Sequence, residues 1–246
     1  MASPTPEDML QNELLAKLNE EDRRRLAPHA MVFELNRGDI LHHAGAEVTE
    51  TWFPCGSSLA SFQLWADAGA GAVEVALVGR EGAVGGIVSN GRVPAYATAI
   101  VRAGGGFFRI KTAALEQAKL DSISMRHWFS RYSDCLIAQV FQTAACNATH
   151  TIMQRTARWL LAAMVRTRRT DFDVTQEELA ETLGVGRTFV SRVIRQLRDE
   201  KVIITRRGGL TVLDTHALQK KSCQCTALVE NHFDVVLHGI YPWNDA

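Results

Sequence analysis

The apolar positions of the chain change period twice. From Gln11 to Leu26, the leucines Leu14, Leu15, Leu18 and Leu26 stand among charges and predict a short amphipathic helix. After Pro28 the pattern breaks into short pieces of period two: Val32-Phe33, Ile40-Leu41, Thr51–Pro54, Leu59–Trp65, Val73–Val78, Tyr96–Val101 and Phe107–Ile110. Within Leu59–Trp65 the residues Ala60, Phe62 and Leu64 share a face, as do Val73, Val75 and Leu77 in the next piece. Glycines punctuate the series, among them Gly45, Gly56, Gly69, Gly79, Gly82, Gly91 and Gly104–Gly106. Many short strands with glycine turns predict an antiparallel barrel or a jelly-roll sandwich.

From about Lys111 the helical period returns. Ala113–Lys119 predicts a short helix and Met125–Ala145 a long one. The long helix carries Trp128, Phe129, Tyr132, Leu136, Ile137, Val140, Phe141, Ala144 and Ala145, a stripe too wide for a single contact. It has enough apolar surface to face both its own barrel and a second chain. Phe129, Tyr132, Leu136, Val140 and Thr143 are therefore candidates for a dimer interface, with packing inside one chain as the alternative. A further helix, Thr151–Arg166, ends in a charged break that runs to Asp173.

The segment after that break is the most informative. Thr175-Gln-Glu-Glu178 is a capping box that opens a short helix with Leu179, Ala180 and Leu183 facing inward. Gly184 ends that helix, and a second one begins after Gly186 with Phe189, Val190, Val193, Ile194 and Leu197 as its apolar side. Helix, tight glycine turn and helix form the helix-turn-helix arrangement. On the opposite face of the second helix Arg187, Thr188, Ser191, Arg192 and Arg195 project together, and no acid occurs between Arg187 and Arg198. Guanidinium and short hydroxyl side chains on an exposed helix suit the major groove, where Arg can bond guanine O6 and N7. Val202–Thr205 and Leu210–Leu213 then flank Arg206-Arg207-Gly208-Gly209, a hairpin that places two arginines at its tip for phosphates. Thr175 and Gln176, at the start of the first helix, join the expected DNA contacts.

The charge balance agrees once it is divided. The chain has 27 Lys and Arg against 27 Asp and Glu, which over the whole length argues for no nucleic-acid partner. Residues 1–150 have 13 basic and 16 acidic side chains, residues 151–222 have 14 and 8, and residues 223–246 have three acids and no Lys or Arg. The excess of positive charge therefore coincides with the helix-turn-helix and its hairpin. Cys135–Gln154 has no Asp, Glu, Lys or Arg over nearly a bilayer span, but Gln139, Gln142, Asn147 and His150 would be costly in lipid. No membrane contact is expected. The first ten residues have acids and prolines and no apolar core, and the five scattered cysteines are odd in number, so a reducing, cytoplasmic setting is expected.

The order of glycine-rich β-roll, long helix and winged helix resembles the Crp-Fnr family of bacterial transcription regulators, most strongly in Thr175–Arg192 and the wing. The resemblance implies an α+β protein. A jelly-roll-like antiparallel β-roll would occupy residues 1–120, a dimerisation helix 121–148, and a winged helix-turn-helix with a C-terminal extension 149–246. It also implies a homodimer on a near-palindromic promoter site, helix 187–199 in the major groove, and RNA polymerase as a partner. Thr188 stands where that family usually has a glutamate, so the half-site is expected to differ. In the β-roll, Gly85 and Gly86 fall where cyclic-nucleotide binders carry a glycine turn and a ribose-binding glutamate, and Ala97-Thr98 replaces the phosphate-binding Arg-Ser pair. These four residues mark the effector pocket, which is expected to take a small molecule other than cyclic AMP or none; Arg92 and Arg102 could substitute for the missing cation. A sensor acting mainly through a protein partner is the alternative reading.

No cofactor and no metal are expected. Cys223-Gln-Cys225 has one intervening residue, a poor zinc spacing, with His216 and His232 as the nearest histidines in sequence. Cys135 and Cys146 would share a helix face as small buried hydrophobes, and His42-His43 would lie in a surface turn. The glycine-rich loops lack Gly-Lys-Ser/Thr, and no nucleophile–base pair stands out, so no catalytic residue is assigned and an enzyme is not expected.

Overall fold

A computed structural model describes residues 4–65, 71–87 and 93–241. The predicted turn glycines Gly69 and Gly91, and Arg92, lie outside the described residues. The N-terminal helix expected over Gln11–Leu26 is two helices, α1 (Glu13–Ala16) and α2 (Glu20–Leu26). An asparagine caps each: Asn12 Oδ1 accepts from Leu15 N and Asn19 Oδ1 from Asp22 N. Asn12 is buried and also donates to the carbonyls of Pro54 and Gly82, pinning α1 to the body of the fold.

Among the described residues seven strands follow: β1 (Ala30–Leu35), β2 (Ile40–His42), β3 (Glu50–Pro54), β4 (Leu59–Trp65), β5 (Ala72–Val78), β6 (Thr98–Ala103) and β7 (Gly105–Lys111). They form two antiparallel sheets, ordered β1-β7-β3 and β2-β6-β4-β5. Trp52, Val78, Val84, Val101 and Phe107 form one core cluster with Ala60 and Ala99. The strand expected at Tyr96 begins at Thr98.

Helices α3 (Thr112–Asp121) and α4 (Ile123–Thr149) cross beneath the first sheet. Trp128, Phe129 and Tyr132 of α4 join Phe53, Phe108 and Ile110 in the largest cluster. Trp128 Nε1 donates to the Leu14 carbonyl, and the Tyr132 hydroxyl donates to Ala83 O while accepting from Ala83 N, so even the polar atoms of these aromatics are satisfied internally. Of the residues expected at a dimer interface, only Val140 is exposed on this chain. Phe129, Tyr132 and Thr143 are buried within their own chain, and Leu136 is half-buried against the β-roll. The stripe that α4 leaves outside is Ile137 (49% exposed), Val140 and Phe141 (70% exposed), continued by exposed Ala144 and Ala148.

After the His150–Thr151 link, where Thr151 and Gln154 form a capping box, come α5 (Ile152–Thr167), β8 (Asp171–Phe172), α6 (Gln176–Leu183) and α7 (Arg187–Asp199). The hairpin β9 (Ile203–Arg206) and β10 (Gly209–Val212) and helix α8 (Thr215–Lys221) complete the module. β8 falls in the stretch read as a charged break; it pairs with β10 to make a three-stranded sheet. Finally α9 (Cys225–Val236) leaves the module and runs back along α4, with Phe233 edge-on to Tyr132 and the Tyr241 hydroxyl donating to Asp22. Among the described residues no helix is long and apolar enough to cross a membrane.

Candidate nucleic-acid interface

The capping box at the start of α6 forms as its sequence requires. Thr175 Oγ1 accepts from Glu178 N at 3.1 Å, and Glu178 Oε2 accepts from Thr175 N at 2.8 Å. Partial burial works against ionisation of Glu178, but Thr175 and the neighbouring Arg37 guanidinium outweigh it and hold the carboxyl below its ordinary value. The Thr175 hydroxyl, expected as a DNA contact, thus serves first as a helix cap. At the other end Gly184 adopts φ +60°, the left-handed cap that turns the chain within two residues toward α7, and Val73 of the β-roll packs where a Cβ would be.

Helix α7 buries Val190, Val193, Ile194 and Leu197 in the module core. Burial of side chains of this size is worth about 1.5–3 kcal/mol each, ample to fix the helix's rotation. Phe189, expected on the same side, is instead 50% exposed, with the Arg192 guanidinium 5.9 Å from its ring centre. Arg187, Thr188, Arg192 and Arg195 are exposed, and Ser191 is half-buried because its hydroxyl donates to Gln176 Oε1 at 2.7 Å. Gln176 therefore steadies the middle of the α7 face from α6. At the hairpin tip Arg206 pairs with Asp173, while Arg207 is exposed on the turn. The face predicted from spacing is brought together: an acid-free helix surface beside a basic hairpin.

The module is docked on the second β-roll sheet. Trp159 Nε1 donates to Glu74 Oε1 at 2.8 Å, and Arg102 reaches Ser61, Glu74 and Thr182. Burial pushes the Glu74 carboxyl up, opposed by Arg102 and by the Trp159 hydrogen bond. Arg102 is thus committed to the contact between the two parts of the chain rather than free to replace the cation missing from the expected effector site.

At the expected effector site, Gly86 has φ +54°, and a Cβ there would lie 2.7 Å from Thr112 Oγ1 and 2.9 Å from Thr51 Oγ1. A Cβ on Gly85 would meet Glu50 O and Val48, with His42 Nδ1 at 3.6 Å. His42 lies on β2, half-buried rather than in a surface turn, and pairs in register with Ala99; Thr98 Oγ1 accepts from Ala44 N. Burial holds the His42 imidazole below its ordinary value, with the Ala97 backbone opposing. His42 Nδ1, Thr51 Oγ1 and Thr112 Oγ1 are buried without a hydrogen-bond partner, a polar lining at the Gly85–Gly86 turn.

A second constellation escaped the sequence reading. Cys146 and His150 at the end of α4 meet Cys223 and Cys225 before α9, with one donor atom from each within 4.8 Å of the others. The signal available was Cys146-x3-His150, one helical turn, but its partners are 77 and 75 residues away. Cys135, by contrast, is a core thiol that burial raises to about 12.

Comparison with known proteins agrees with this geometry. Residues 154–221, from α5 to the end of α8, match the Crp-like helix-turn-helix domain. No curated protein matches the chain. Among solved structures, the chain is similar to FixK2 from Bradyrhizobium japonicum, with a TM-score of 0.65 and 14% identity over 79% of this chain and 98% of that one. A CRP-family transcriptional regulator from Thermus thermophilus gives 0.63 and 20% identity, covering 77% and 96%. The c-di-GMP-responsive global regulator CLP of Xanthomonas campestris gives 0.63 and 14%, covering 79% and 99%. The chain carries a Crp-like helix-turn-helix domain on the fold of the Crp/Fnr transcription regulators.

Proposed function

We propose that the protein is a homodimeric, sequence-specific transcription regulator that sets two α7 helices into the major groove of a near-palindromic promoter site. The observation that carries this reading is the acid-free α7 face of Arg187, Thr188, Ser191, Arg192 and Arg195 beside the exposed Arg207. Arg192 is the base-reading candidate, because its guanidinium lies over Phe189 and is pre-positioned rather than loose. Arg207 supplies charge to phosphate. The exposed stripe Ile137, Val140, Phe141, Ala144 and Ala148 is the surface on which two copies would pair, bringing the two α7 helices into twofold relation. RNA polymerase is the partner the family fold suggests. The β-roll takes a signal other than cyclic AMP: without an arginine at Ala97, a cyclic phosphate would be desolvated without a cation.

Selection of bound fragments from random DNA, followed by titration at physiological salt, tests the reading. Arg192→Ala is expected to cost about 1–3 kcal/mol and relax specificity at one position of each half-site. Arg207→Ala is expected to weaken all sequences alike and lower the salt slope by about 1. Binding to a selected fragment no tighter than to competitor DNA would overturn the function; an Arg192→Ala protein with full cellular output would shift it to a sensor acting through a protein partner.

A further inference from the structure

We propose that Cys146, His150, Cys223 and Cys225 form a closed mononuclear site for Zn2+, which clamps the C-terminal helix to the end of α4. The three Sγ atoms and one imidazole nitrogen lie within 4.8 Å of one another, a compact four-donor set. Cys146 Sγ is 3.7 Å from Cys223 Sγ, and Cys225 Sγ is 3.6 Å from His150 Nδ1. A tetrahedral zinc ion with bonds of about 2.3 Å to sulfur and 2.0–2.1 Å to nitrogen sets S···S edges near ~3.8 Å and S···N edges near ~3.6 Å. Both observed edges match. A disulfide needs sulfurs at about 2.05 Å, so the 3.7 Å pair is unbridged, as are all five cysteines. An iron–sulfur cluster is a poor fit, because its bridging sulfides hold cysteines on different irons farther apart than this set allows.

The surroundings suit an occupied site. Cys146 is 0% and Cys225 2% exposed, as in structural sites that leave no open coordination position. Gln142, one turn before Cys146, donates Nε2–H to Cys225 Sγ at 3.1 Å, the hydrogen bond to sulfur that orients a thiolate ligand. Three thiolates and a neutral imidazole around Zn2+ sum to one negative charge, and loading releases three thiol protons. Arg155 and Arg158 lie close enough to Cys146 to act on it electrostatically, and the Nε of each is buried without a hydrogen-bond partner. Both guanidinium groups thus lie within electrostatic range of the negative charge that the loaded site would carry. Thiolate and imidazole donors select zinc over the oxygen-loving cations.

The position gives the site its consequence. His150 caps α4 immediately before the link into α5, and Cys223 follows α8, the last helix of the DNA-binding module. Bound metal would tie the end of α4 to the exit of that module across the link.

The full chain, purified reduced and without chelator, tests this by elemental analysis and by Co2+ substitution. The expected result is one zinc per chain and, with Co2+, the visible absorption of a tetrahedral site with sulfur-to-cobalt charge transfer. Cys223→Ser and His150→Ala, both at half-buried positions, are expected to lose the zinc, whereas Cys55→Ser and Cys135→Ser keep it. Should a ligand variant misfold, the Co2+ spectrum of the wild-type chain still decides. No metal retained after incubation with Zn2+, metal unchanged in both ligand variants, or a Cys146–Cys223 disulfide in anaerobically prepared protein would overturn the proposal. DNA affinity plays no part in these readouts, so the site stands or falls separately from the proposed function.

Discussion

Phe141 offers the sharpest test of the proposal that two chains pair through α4. It sits on α4 with 70% of its surface exposed, while Phe129, three turns earlier on the same helix, is fully buried. Full burial of a phenylalanine side chain is worth about 1.5–3 kcal/mol, so covering the exposed part yields about 1–2 kcal/mol per chain. A twofold interface uses the residue twice, giving about 2–4 kcal/mol per dimer, or a roughly 30- to 1,000-fold weaker dimer in Phe141→Ala. The fold itself is expected to change little, because an exposed substitution moves stability by about 0.5 kcal/mol or less. Phe129→Ala should behave in the opposite way, costing about 3–5 kcal/mol of folding free energy through the cavity it opens. Sedimentation velocity over a dilution series reads the dimer midpoint, and urea unfolding reads the fold. A Phe141→Ala protein with an unchanged midpoint, and Val140→Asp equally silent, would refute the pairing surface.

Two further outcomes follow from the β-roll. Gly86→Ala places a Cβ 2.7 Å from Thr112 Oγ1 on a left-handed backbone, so urea unfolding should show a loss of about 1–3 kcal/mol; undiminished stability would mean the turn relaxes freely. His42 is held neutral by burial, with His43 as the nearby group that further disfavours its charge. Its folded value is depressed, so the unfolded chain binds the proton more readily. The stability it contributes is complete above about pH 6.5 and is lost as pH falls through the lowered folded value. The urea midpoint of the wild type should therefore drop more between pH 7.5 and 5.5 than that of His42→Gln. Parallel pH profiles would sink this reading.

The elements that depend on neighbouring residues are legible in the chain itself. The Thr175–Glu178 capping box, the Gly184 turn, the Leu59–Trp65 strand and the α7 face all rest on contacts within a few residues, and each appears where its pattern put it. The divided charge likewise located the basic module. Other readings needed the whole molecule. Helical period showed that α4 is apolar on a broad front, but which part is covered depends on the β-roll and on α9, whose return along α4 has no local signal. Hence Phe129 and Tyr132 are inside and Ile137 and Phe141 outside. Phe189 reads as core by its apolarity, yet tertiary packing leaves it at the edge beneath Arg192.

By itself the sequence determined most of the strands and helices up to the hairpin, and the polar, arginine-bearing face of α7, because hydrogen bonds and side-chain period act over short separations. Only the tertiary structure decided which apolar face of α4 remains exposed, that Arg102 serves the contact between β-roll and module, and that Cys146 and His150 meet Cys223 and Cys225. Those outcomes are set by the packing of segments far apart in the chain, 41 residues for Arg102 and Ser61 and 77 for Cys146 and Cys223, distances over which spacing along the chain carries no geometric information.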